Sequence, residues 1–79
     1  MDYRVITSTT RIYNNRVWRV DELTAGVVRI RPPAGKPARQ WPSPEAVSGW
    51  LGREVRLQPP TSPYVAVYWP VHHNILSFP

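Results

Sequence analysis

Val27-Val28-Arg29-Ile30-Arg31 decides the reading of this chain. Side chains alternate between the two faces of a strand, so Val28 and Ile30 point one way while Arg29 and Arg31 point the other. That is the pattern of an antiparallel sheet with one dry face and one wet face. Glu54-Val55-Arg56-Leu57 repeats it, with Val55 and Leu57 inward and Arg56 outward, and Arg19 between Trp18 and Val20 obeys the same rule. If these strands are neighbours, a core lies under the sheet and a row of guanidinium groups lies over it.

Upstream, residues 3–13 are rich in Val, Ile, Thr and Tyr, which suit a pleated surface. Asn14-Asn15 follows, and Asn tolerates the left-handed conformation of a tight hairpin turn. Residues 16–20 then read as the return strand, and residues 21–26 (Asp-Glu-Leu-Thr-Ala-Gly) as a polar turn. The first 31 residues thus predict a three-stranded meander.

Downstream, residues 32–37 contain three prolines and form a loop, since proline offers no ladder N–H. Arg39-Gln40-Trp41 is a candidate short edge strand ending at Pro42. Ser43 suits an N-cap, Pro44 the first helical position and Glu45 the positive end of the dipole. Val47, Trp50 and Leu51 follow at helical spacing and Gly52 is placed to stop the helix, which predicts a two-turn helix over residues 44–51. Residues 53–58 and 64–69 are the closing strands, separated by a proline turn. In the last of them Val65, Val67 and Trp69 share one face, read as core, and Tyr64 and Tyr68 share the other. The expected division is a single domain over residues 1–70 and a C-terminal tail over residues 71–79, whose Ile75, Leu76 and Phe78 call for a partner surface, in the same chain or in a homo-oligomer.

The expected class is mainly β (α+β): a small, curved antiparallel sheet or barrel of five to six short strands with one short helix. This inventory resembles the SH3-like barrels in architecture only, and such barrels host many unrelated activities.

Composition narrows the options. At 79 residues the chain is one domain at most. With 42% hydrophobic residues, four Trp and four Tyr, it is too apolar for a disordered chain. The absence of Cys excludes disulfides, thiolate nucleophiles and cysteine zinc sites. No signal segment is read at the start, and the apolar run over residues 64–69 is far short of the roughly 20 residues that span a membrane. The expected location is cytoplasmic. The net charge of +5, carried by nine Arg and one Lys, favours polyanionic partners. Arg suits phosphate and base edges better than Lys, although a GC-rich genome would also favour it.

Motifs for chemistry are weak. His72-His73 are adjacent, so an extended chain turns them apart, and no carboxylate is near them in sequence. No nucleophile elbow or glycine-rich phosphate loop is present. Pro60-Thr61-Ser62-Pro63 fits a loose polyproline pattern that a turn explains equally well. No enzyme, metal or cofactor is expected. Trp18, Trp50 and Trp69 read as core, whereas Trp41 either caps the sheet or stands exposed beside Arg39 for stacking.

The leading expectation is a non-enzymatic DNA- or RNA-binding module of a phage or plasmid type. Its candidate contacts are Arg19, Arg29, Arg31, Lys36, Arg39 and Arg56, with Trp41, Tyr64 and Tyr68 as stacking surface. The alternative is a protein-binding inhibitor, adaptor or assembly subunit docking through Trp41, the proline loop or the tail.

Overall fold

A computed structural model describes residues 2–72. Five antiparallel strands form one sheet: β1 (Val5–Tyr13), β2 (Arg16–Leu23), β3 (Val28–Arg31), β4 (Val55–Leu57) and β5 (Ala66–Pro70). Their order is β1-β2-β3-β5-β4. One helix, α1 (Pro44–Leu51), precedes β4. The fold is mainly β, and among the described residues no helix is long and apolar enough to cross a membrane.

Asn14 and Asn15 both take positive φ, 51° and 61°. This primed turn matches the twist of its strands and sets the register Tyr13↔Arg16 through Ser8↔Asp21. The expected polar turn at residue 21 is corrected here. β2 continues to Leu23, because Asp21 and Glu22 pair with Ser8 and Thr7 on one side and with Arg29 and Val28 on the other. The reversal falls instead on a short 3-10 turn, Thr24–Gly26. Gly26 has φ 76°, the left-handed region that favours glycine, and a Cβ there would make a tight contact, 3.3 Å, with Pro70.

α1 forms as its sequence dictates. Ser43 Oγ accepts from the Ala46 N–H at 3.0 Å, Pro44 opens the first turn, and Gly52 closes the last in the left-handed region at φ 72°. Val47 is fully buried, while Trp50 and Leu51 are half-buried against the same core. That core joins Trp18, Val20, Val28, Ile30, Val55, Ala66 and Tyr68.

Two further sequence expectations are overturned. Residues 39 and 40 form a bend and Trp41 is irregular, so no strand forms here; the segment is tied down at Ala38, whose N–H donates to the Pro63 carbonyl at 2.7 Å. The faces of β5 are also reversed. Ala66 and Tyr68 point into the core opposite Ile30 and Val28, while Val67 and Trp69 stand on the arginine face, opposite Arg29 and Arg56. Both rows of this strand are largely apolar, so alternation alone leaves its orientation open. A buried acceptor settles it: the Tyr68 hydroxyl donates to the Pro42 carbonyl at 2.6 Å, and an orphaned buried carbonyl or hydroxyl would be costly.

Of the expected tail, Val71 still donates its N–H to the Glu54 carbonyl at 3.2 Å, and His72 is exposed. His73 and the apolar residues Ile75, Leu76 and Phe78 lie outside the described residues.

Candidate nucleic-acid interface

The arginine face is built on a carboxylate. Asp21 is only 1% exposed and receives Arg29 Nε at 3.1 Å, Arg29 Nη2 at 2.7 Å and Arg31 Nη2 at 2.8 Å on one oxygen. Its other oxygen accepts from the Ser8 hydroxyl. Burial pushes this carboxyl up, but the Ser8 and Arg29 hydrogen bonds and the charges of Arg31 and Arg29 outweigh it, and the carboxyl is held below its usual range. Asp21 therefore cancels one of the positive charges beside it. Arg29 and Arg31 keep 34% of their side-chain surface exposed. They are a structural clamp with one wet side, not two unencumbered contacts.

The rest of that face is mixed. Arg19 lies opposite Arg31, and Arg56 opposite Trp69; both are exposed. Trp69 donates its indole N–H to Gln58 Oε1 at 2.7 Å and meets the Tyr3 ring edge-on at 6.1 Å. Val67 and Trp69 thus place an apolar strip between Arg29 and Arg56. On the opposite face of the sheet, Arg53 reaches Glu22, the cross-strand partner of Val28, at 3.9 Å.

A second basic group lies at the hairpin end. Asn14, Arg16, Lys36, Pro37, Arg39 and Gln40 surround a recess of about 520 Å³ that reaches Trp18. Arg16 anchors its wall by donating Nη1 to the Pro37 carbonyl at 3.0 Å, and its guanidinium carbon sits 5.9 Å from the centre of the Trp18 ring. Trp41 leans on Trp18, centroids 5.5 Å apart at 46°. Among the described residues no carboxylate lines the recess, so its three cations reinforce one another's attraction for an anion. The Ala38–Pro63 hydrogen bond carries exposed Tyr64 to within one residue of this loop.

The structure therefore divides the nine residues expected to bind. Arg19, Arg29, Arg31 and Arg56 share the outer face of the sheet. Lys36 and Arg39 line the recess, whereas Trp41 packs on Trp18 and Tyr64 adjoins Pro63, and neither lines it. Arg16 and Trp18 alternate with Arg19 along β2, so the recess and the arginine row open on opposite sides and form no continuous stripe. Tyr68 belongs to neither group; it is 0% exposed and offers no stacking surface. Its burial, with Tyr13 nearby, raises its phenol above the ordinary tyrosine value. Trp41 is half-buried, which is the capping role.

Arg16 is the recess residue that sequence reasoning missed. Its signal was present, an arginine immediately after a predicted turn, but its partner Pro37 is 21 residues away and only the folded loop joins them. Among the described residues no group of three or more His, Asp or Glu is arranged to hold a metal. The chain matches no protein-family model, no curated protein and no solved structure.

Proposed function

We propose that this chain is a small, non-enzymatic nucleic-acid-binding module, of the accessory kind that phages and plasmids encode, and that it holds a single strand at the hairpin-end recess. The observation that carries the reading is the convergence of Arg16, Lys36 and Arg39 on a recess with no lining carboxylate among the described residues. A volume of about 520 Å³ suits one nucleotide unit rather than a duplex. Exposed Tyr64, next to the Pro63 carbonyl that holds the Ala38 N–H, offers the aromatic component that single-strand grooves combine with cations. The exposed Arg19 and Arg56 on the other side add to the general attraction.

Salt dependence tests it. Each phosphate neutralised on a single strand contributes a slope of about −0.7 in log K against log salt. Lys36→Ser with Arg39→Ser, both exposed, leaves the core untouched and flattens the slope by about one to two units. Arg19→Ser with Arg56→Ser weakens binding less. A wild-type protein that retards neither single-stranded DNA nor RNA at about 50 mM salt, where electrostatic binding is strong, ends this reading.

The protein-docking alternative draws support from exposed Ile6, Ile12 and Val17 on the first hairpin. Binding through such a surface would be nearly insensitive to salt, which separates the two.

A further inference from the structure

The two edges of the sheet are treated very differently. β4 is three residues long and runs into Pro59-Pro60, so it offers little to another strand. β1 is nine residues long, contains neither Pro nor Lys, and borders the sheet with one hydrogen-bonding edge unused among the described residues. Natural sheets blunt such an edge with short strands, prolines, lysines or bulges. β1 has only Arg11 and an irregularity between Val5 and Thr7. It also contributes almost nothing to its own core: every residue but Tyr13 is exposed, with Ile6 at 65% and Ile12 at 75%.

The sequence of β1 is close to symmetric about Thr9. Reading outward from Thr9 in both directions gives Ser8 and Thr10, Thr7 and Arg11, Ile6 and Ile12, Val5 and Tyr13. We infer that β1 pairs antiparallel with β1 of a second copy of this chain, Thr9 opposite Thr9 on a two-fold axis. In that register Ile6 faces Ile12 of the partner, and Arg11 faces Thr7, so no like charges meet.

The hydrogen-bonding parity agrees. Around a two-residue hairpin the flanking pair, Tyr13 and Arg16, exchanges both backbone bonds. Thr9 and Arg11 then bond toward β2, and Ser8, Thr10 and Ile12 turn their N–H and C=O groups outward. The proposed register sets Ser8 against Thr10 of the partner, outward groups against outward groups. Ile12 already neighbours exposed Val17 across the hairpin, so the partner's Ile6 completes a row of three apolar side chains. The assembly closes, because its outer edges are the short β4 strands. It is independent of the nucleic-acid reading.

The chain has no cysteine, which permits a register-specific test alongside the solution mass. Thr9→Cys places two thiols directly opposite at a Cα separation of about 4.5 Å, within disulfide reach. Arg11→Cys places them four residues out of register, about 13 Å apart. The expected result is a wild-type mass twice 9.1 kDa at about 0.5 mM, rapid interchain oxidation of Thr9→Cys, and none of Arg11→Cys. A wild-type protein that is monomeric at that concentration overturns the inference whatever the variants do. A dimer in which Thr9→Cys stays reduced, or both variants cross-link alike, overturns it too, since another register or surface is then in contact.

Discussion

Asp21 adjoins Glu22 in a stretch that reads as a turn, yet it is the buried charged residue of the described chain. Its function as an anchor is invisible to alternation, which predicts only that Arg29 and Arg31 point away from Val28 and Ile30. They do, but toward a carboxylate. Changing both to Ser therefore does not leave the fold intact: it strands a buried carboxylate and costs roughly 3 kcal/mol, the low end for a broken buried pair because the guanidiniums are partly wet. Chemical denaturation measures that loss, and an unchanged midpoint would show that the clamp contributes nothing. The same carboxylate sets an acid limb. Its folded value lies below the unfolded one near 3.9, so its contribution is present above that pH and disappears as pH falls through the folded value. Asp21→Asn should flatten the decline of melting temperature between about pH 5 and 2. At Tyr68 the sign is opposite: the raised phenol favours the fold below about pH 10, and that contribution drains away as pH climbs further. Tyr68→Phe leaves the Pro42 carbonyl unpaired and should cost about 1–3 kcal/mol.

At the scale of elements, α1 was legible from end to end because its signals are local. Cap, first-turn proline, apolar spacing and terminal glycine all lie within ten residues, 43–52. β5 was not, since Val65, Val67 and Trp69 make as plausible an inner face as Ala66 and Tyr68, and the deciding partner Pro42 is 26 residues away. The arginine strands fall between these cases: their faces were readable, their charge partner was not. The helix now carries a sharper expectation. Val47 is the fully buried contact and Trp50 a half-buried one that meets Tyr13 edge-on at 6.2 Å. Trp50→Ala should cost about 3 kcal/mol, the lower end for a tryptophan truncation, and Ser43→Ala about 1 kcal/mol through the lost cap. Thermal melts of the two variants check the order. Equal stability of Trp50→Ala and wild type would mean the helix docks through Val47 and Leu51 without help from Trp50.

At the scale of the molecule, a chain this short has little stability to spare, so losses of that size should leave a substantial unfolded fraction at physiological temperature. The recess was only half legible in the sequence. Lys36 and Arg39 stood out by type, but their meeting with Arg16 depends on how the loop after β3 folds back onto the first hairpin. That fold-back has an optical consequence. Trp18 belongs to the sheet and Trp41 to the returning loop, and their indoles sit 5.5 Å apart at 46°. Two identical chromophores that close and that oblique share their excited states, which gives paired circular-dichroism bands of opposite sign in the far ultraviolet. The chain therefore carries a built-in gauge of whether the loop is seated, readable without any label, and Trp41→Phe would erase it while leaving the sheet's own spectrum in place.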